Sequence, residues 1–258
     1  MKNKKKILVI GDTIIDENIF LKAIGISLES PTMKTKLINK TFSFGGAANV
    51  AKFASKFGSD VTFLSSISKK YLNRFELDNK KIRLINFETG KNNIKSRFWI
   101  SNGDSTYKYL QINDVNEQSN NFNFDELKVD EFDLIAFSDY RCGLINTKLI
   151  EKCVASGKVT YASSQISSKK SNYHLYKKIT KIVCNENEAS FVDRDKNICI
   201  TLGNKGCIYD NKHYPSYKLD NVSNSIGAGD CFYAALLSSE DPDFANKSAS
   251  KFLKDKND

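Results

Sequence analysis

The apolar positions of this chain cluster in short unbroken runs. That pattern suits strands buried on both faces of a parallel sheet. Residues 7–10 (Ile-Leu-Val-Ile) form the first run and stop at Gly11-Asp12. Residues 61–64, 132–137, 159–162, 181–184 and 198–202 repeat the pattern, with Cys207-Ile208-Tyr209 beyond the last. Helical spacing separates several of them. Val50, Phe53, Ala54 and Phe57 fall on one face of a helix that Gly45-Gly46 opens and Gly58 caps. Residues 145–156 read as a second helix ending at Gly157. Strand and helix alternating in this way predict an α/β fold with a mostly parallel central sheet.

Two stretches break the rhythm. Residues 13–44 do not continue as a helix, and 34–38 and 41–44 have β-type composition. Residues 94–100 and 106–112 flank Ser101-Asn102-Gly103-Asp104-Ser105, and Asn-Gly between β-rich runs signals a hairpin. Segments of about 13–44 and 92–114 are therefore expected to form a small separate sheet.

The densest chemistry lies at Asn224-Ser225-Ile226-Gly227-Ala228-Gly229-Asp230, followed by the apolar run 231–237. This is a loop feeding a helix N-terminus, where unpaired first-turn N–H groups attract an anion such as a phosphate. Asp230 at its lip is a candidate general base. The same residues also suit a tight turn with close helix–strand packing. Ligands of open α/β sheets sit outside the carboxyl ends of strands, which makes Asp12 and Asp16 candidate ligand holders. Asp12 reads equally as a turn or cap residue.

Bulk properties narrow the classes. The chain has 258 residues, 40% of them hydrophobic, and only three prolines, consistent with one domain over 1–258. Its net charge of +9 comes from lysines spread along the whole chain. Without zinc-finger spacing, an RNA-binding aromatic signature or a basic arm, this implies solvated faces, not a nucleic-acid binder. The four apolar residues after Met1-Lys-Asn-Lys-Lys-Lys are too few for an export or membrane segment. Six cysteines without a C-x-x-C pair predict reduced thiols in the cytoplasm. With two histidines and no cysteine cluster, a zinc site is not expected.

Together these motifs resemble the ribokinase-like (PfkB) carbohydrate kinases: Gly11-Asp12 with Asp16, residues 45–51 (Gly-Gly-Ala-Ala-Asn-Val-Ala), Asn185-Glu186-Asn187-Glu188, residues 201–206 (Thr-Leu-Gly-Asn-Lys-Gly) and Gly227-Ala228-Gly229-Asp230. The resemblance runs from about residue 5 to about 250 and implies a three-layer sandwich with a small β lid. Residues 26–31 (Ile-Ser-Leu-Glu-Ser-Pro), Lys95-Ser96-Arg97-Phe98 and residues 138–143 (Ser-Asp-Tyr-Arg-Cys-Gly) are similar to the heptose-7-phosphate kinase branch. The implied activity is ATP- and Mg²⁺-dependent phosphorylation of a sugar or sugar phosphate. In that scheme Asp230 is the base, and the amides of Gly227, Ala228 and Gly229 stabilise the transferred phosphoryl. Asp12, Asp16, Gly45, Gly46 and Asn49 hold the sugar. Asn185 and Glu188 serve Mg²⁺, and Asn185, Thr201, Gly203 and Gly206 line the nucleotide side. Lys95, Arg97 and Arg141 are candidates for a phosphate already on the substrate, or else plain lid and surface charge. The resemblance further implies a homodimer through the lid.

The chain departs from the family in places. Asn224 and Ser225 replace an aspartate and a threonine; residues 162–165 (Ala-Ser-Ser-Gln) stand where the heptose branch has Asp-Pro-Lys. Few residues follow Asp230, so the adenine pocket is expected to be incomplete or completed by a partner. These departures keep a second reading open, a degenerate kinase fold serving as a sugar-binding or partner subunit. A kinase for a nucleoside or another small alcohol is a third.

Overall fold

The computed structural model describes residues 4–87, 91–103, 105–115, 123–165, 171–193, 197–219, 222 and 224–257. Asp104 of the expected hairpin turn lies outside the described residues. The chain opens with β1 (Lys6–Gly11), a long hairpin of β2 (Thr13–Ile26) and β3 (Met33–Gly46), α1 (Ala47–Lys56) and β4 (Asp60–Ser65). Next come α2 (Lys69–Asp78), β5 (Ile82–Asn86) and a second hairpin, β6 (Asn93–Asn102) and β7 (Ser105–Asp114). The second half runs β8 (Leu134–Asp139), α3 (Thr147–Ala155), β9 (Val159–Ser164), β10 (Lys181–Asn185), α4 (Glu186–Ala189), β11 (Ile198–Thr201), β12 (Cys207–Tyr209) and β13 (Lys212–Tyr214). Two helices follow, α5 (Ala228–Ser239) and α6 (Pro242–Asn257).

The apolar runs assemble into a nine-stranded sheet of order β13-β12-β11-β10-β9-β8-β1-β4-β5. Pairing is parallel from β11 to β5, and β12 and β13 add antiparallel at one edge. Helices cover both faces, as an α/β three-layer sandwich requires. Ile7, Val9, Val61 and Phe63 share a core with α1, α2, α5 and Ala245 of α6. Leu8, Ile10, Leu64, Ile135 and Phe137 turn to the other face, against Leu149, Ile150 and Cys153 of α3. Each such side chain, fully removed from water, contributes roughly 1.5–3 kcal/mol of transfer free energy.

The strand order reverses between β1 and β8. After β1 the sheet grows through β4 and β5 in one direction, then from β8 to β13 in the other. Such a switch point opens a crevice at the carboxyl ends of its two strands. Here those ends are Gly11-Asp12 and Ser138-Asp139. Gly11 pairs with Ser138, and a Cβ at Gly11 would run into the Ser138 carbonyl.

The small sheet, order β3-β2-β6-β7, departs from the large one after the single residue Asp12. Its root is buried at Thr13, Ile14 and Ile15, and β7 is exposed along its length. Aromatic edges tie the root down: Phe42 meets Tyr71 at 5.2 Å and Phe44 meets Phe75 at 5.2 Å between ring centroids. The strands here are longer than their β-type composition suggests. The 14-residue β2 alternates poorly because only its first turns pack on a core.

Several boundaries shift from expectation. Gly45 and Gly46 end β3, and α1 begins at Ala47 with Gly46 as its N-cap in the left-handed region (φ 63). Phe57 is the C-cap of α1, with Gly58 just beyond it at φ 94. Helix α2 and strand β5 follow no clean period and become legible only in the fold. All six cysteines are free and buried. Among the described residues, no helix is long and apolar enough to cross a membrane.

Candidate active site

Three elements converge above the switch point: the start of β2, the head of α5 and the loop after β8. Helix α5 opens at Gly227, whose φ of 90 is left-handed. A Cβ there would press on the Phe252 ring of α6, so glycine suits both the conformation and the space. Gly229 has open space at its Cβ direction. The N–H groups of Gly229 and Asp230 belong to the opening turn, which has no helical acceptor for them. Ala228 N–H instead bonds back to the Ser225 carbonyl at 3.2 Å.

Asp230 sits in that turn. Its Oδ1 accepts from the Tyr140 hydroxyl at 2.7 Å and its Oδ2 from Asn49 Nδ2 at 3.1 Å. Burial raises its carboxyl to about 6, and these two hydrogen bonds hold it from rising further. A carboxylate that titrates near neutrality is suited to accept a proton there.

Two cavities meet at Asp230. The first, of about 260 Å³, is lined by Asp16, Asn49, Lys95, Arg97, Gly227 and Asp230 among others. The second, of about 190 Å³, is lined by Asp139, Asn185, Glu188, Thr201, Gly229 and Asp230 among others. Tyr140, Gln165, Gly229 and Asp230 line both.

In the first cavity Asp16 Oδ1 accepts from Arg97 Nη1 at 2.7 Å, and both side chains are largely buried. The close approach of Asp16 explains Gly45, where a Cβ would collide with the Asp16 carboxylate. Gly46 lines the cavity too, while its backbone turns the chain into α1. In the second, Asn185 and Glu188 form a reciprocal capping box on α4. Glu188 Oε2 accepts from Asn185 N–H at 3.0 Å and Asn185 Oδ1 from Glu188 N–H at 2.9 Å.

These features fit the anion-hole and base arrangement of a phosphotransferase. The pfkB family carbohydrate kinase pattern matches residues 4–241. The chain belongs to this family. The bifunctional protein HldE of Campylobacter jejuni is 28% identical over 192 residues, covering 73% of this chain and 41% of that relative. The chain thus spans less than half of the length of this curated relative. Among solved structures, a putative sugar kinase from Clostridium perfringens superimposes with a TM-score of 0.68 at 17% identity, covering 99% of this chain and 90% of that one. A ribokinase from Cryptococcus neoformans in complex with ADP does so with a TM-score of 0.64 at 16% identity, over 98% and 93%. At these identities the superpositions establish the ribokinase-like fold.

Within this pfkB frame, Asp16, Gly46, Asn49, Arg97, Gly227, Gly229 and Asp230 share one cavity. Asp12 is placed differently. It is 3% exposed, and its carboxylate accepts backbone N–H groups of Tyr140, Cys142 and Leu144 at 3.0, 3.2 and 3.4 Å. That is the cap-like alternative, with no oxygen turned to the cavity lining. Burial, reinforced by the Asp139 charge, raises Asp12 to about 7. Gly203 and Gly206 shape the turn after β11, where Leu202 N–H bonds to the Gly206 carbonyl at 2.8 Å, and neither lines either cavity. Arg141 also lines neither.

Three contributors escaped sequence reasoning. Tyr140 and Gln165 line both cavities, and their place at the ends of β8 and β9 was the available signal. Lys256, near the end of α6, donates to Asn224 Oδ1 at 3.0 Å and to the Ile226 carbonyl at 2.7 Å, and no local pattern marks it.

The implied nucleotide and Mg²⁺ fit the donor set. Polyphosphate suits the open first turn of α5. Mg²⁺ keeps several waters and asks for only one or two carboxylates. Glu188 can be one of them. Among the described residues there is no cluster of three or more acidic, histidine or cysteine side chains able to cage a metal.

Proposed function

We propose that this chain transfers the γ-phosphoryl group of ATP to a hydroxyl of a phosphorylated sugar of the heptose type. The observation that carries the reading is Asp230, a half-buried carboxylate in the opening turn of α5 at the meeting of two cavities. The sugar occupies the larger cavity, with its hydroxyls on Asp16 and Asn49. Asp230 takes the proton of the attacking hydroxyl. The amides of Gly227, Gly229 and Asp230 face the charge that builds on the phosphoryl oxygens. Glu188 is the carboxylate that would hold Mg²⁺, which would supply charge neutralisation on the phosphates. The small sheet, rooted beside Asp16 and Arg97, acts as a lid that excludes water.

A phosphorylated acceptor is supported by the cations on one side of this cavity. Lys95 and Arg97 both line it. Arg97 Nε is buried with no hydrogen-bond partner among the described residues, leaving a donor for an anionic group. Two copies are proposed to pair through the lid, whose outer strand exposes Tyr107, Tyr109, Leu110 and Ile112; sedimentation as a monomer would refute this. Six buried free thiols favour a reducing compartment, the cytoplasm.

The test is ADP release with Mg-ATP against sugars and sugar phosphates including heptose 7-phosphate. Acceptor-dependent turnover is expected, falling by about 10³-fold in Asp230→Asn. Sugar binding without ATP binding or turnover would replace this reading with a degenerate, sugar-binding subunit, the alternative that Asn224 raises.

A further inference from the structure

The loop after β8 is held with unusual thoroughness. Asp12 takes the N–H groups of Tyr140, Cys142 and Leu144, and Asp139 Oδ1 takes that of Arg141 at 2.7 Å. Arg141 adopts φ 62, a left-handed conformation uncommon for a residue with a Cβ. Asp139 is itself tied to Tyr176 and Asn172 at 2.6 and 2.7 Å. Both aspartates are 3% exposed. Burying two carboxylates to grip four amides of one loop is costly. What the grip fixes is the position of Tyr140, whose ring stands between the two cavities with Lys95 Nζ 5.4 Å from its centroid.

We propose that Tyr140 is a positioning residue for the phosphoryl-transfer base: its hydroxyl, seated by the Asp12 grip, orients the Asp230 carboxylate. This rests on reading Asp230 as the base. The hydroxyl lies 2.7 Å from Oδ1, and Asn49 holds Oδ2, so each oxygen has a donor and the carboxylate plane is defined. Burial and the neighbouring Asp230 charge push Tyr140 ionisation well above its ordinary value, so it stays a donor throughout the working pH range. A hydrogen bond to the charged form favours that form. Of the influences that lower Asp230, the Tyr140 bond is the largest, ahead of Asn49 and Lys95, while burial and Asp16 act in the other direction. The remaining charged groups around the two cavities are Arg97 on β6, Asp139 at the end of β8 and Glu188 on α4.

Tyr140→Phe keeps the ring and removes only the oxygen. The Asp230 carboxyl is followed by ¹³C NMR in the full chain, its resonance assigned by its loss in Asp230→Asn. In the wild type it is expected to titrate near 6. In Tyr140→Phe it should bind its proton about threefold more tightly or better, with the acid limb of kcat/KM moving to higher pH in step. The same variant should lose about tenfold in kcat, with the KM for ATP within about twofold. An Asp230 midpoint that stays put beside intact wild-type turnover overturns this inference alone. So does a loss of kcat without movement of the acid limb, because that is what a merely structural role produces. Wild-type protein with no acceptor-dependent turnover overturns the kinase reading, and the positioning role of Tyr140 with it.

Discussion

The two loops that meet at Asp230 are held in opposite ways. Residues 139–144 are gripped from inside, by carboxylates of β1's end and β8 that are nearly out of contact with water. Residues 224–227 are held from outside. Asn224 folds an Asx turn onto Ile226 N–H at 3.1 Å, and Lys256 clasps the turn from α6. Buried, multiply bonded groups have one arrangement, whereas an exposed lysine holds its partners for less than about 1 kcal/mol. The contrast assigns different duties. The inner loop fixes where the Asp230 carboxylate stands, and the outer loop is the one free to yield at the head of α5. It also accounts for Asn224, since an amide oxygen suffices for a turn that a lysine secures.

The largest effect expected from attacking this contrast is at Asp12. Asp12→Ala removes the shared acceptor of the Tyr140, Cys142 and Leu144 N–H groups and should lower unfolding stability by about 3 kcal/mol in denaturant titration. Loss of kcat should accompany it, because Tyr140 loses its seat. A change below about 1 kcal/mol would mean that the grip is dispensable.

The same site gives a pH signature. Asp12 binds its proton more tightly folded, at about 7, than unfolded, near 3.8. Its contribution to stability is therefore fully present below the unfolded value and is lost as pH rises through about 7. The stability gap between wild type and Asp12→Ala should narrow from pH 5 to pH 8. A gap that widens would give Asp12 the opposite sign.

The smallest effect belongs to the outer clasp. Lys256→Met should cost less than about 1 kcal/mol of stability. It should nevertheless reduce kcat by about three- to tenfold, because the turn that opens α5 loses its alignment. A stability loss as large as that of Asp12→Ala would erase the distinction between the loops.

The legible parts of this molecule were those specified by neighbours in sequence. The runs at 7–10 and 61–64 announced strands because burial on both faces leaves no polar positions to interrupt them. The head of α5 was legible as a helix start because small residues and an aspartate run straight into the unbroken apolar stretch 231–237. Asp16, Asn49 and Asp230 were readable as one site through their family motifs, although they come from β2, α1 and α5. The capping role of Asp12 depended on a loop more than 120 residues away, as Leu144 shows at a separation of 132. Lys256 is a lysine in a lysine-rich helix, distinguished only by what its tip reaches. The bounds of strand β2 within the expected sheet segment 13–44 were illegible for a third reason. Most of it packs on no core, so burial imposes no alternation on its sequence.

Cys231 directly follows Asp230 and is 2% exposed. Its thiol lies 3.6 Å from the Ser248 carbonyl of α6, so a thiol reagent reaches it when α5 and α6 part, and its labelling rate is a clock for local opening beside Asp230. Any molecule that settles on the head of α5 should slow that clock, which makes an inert sulfur a reporter of occupancy for a site it does not enter.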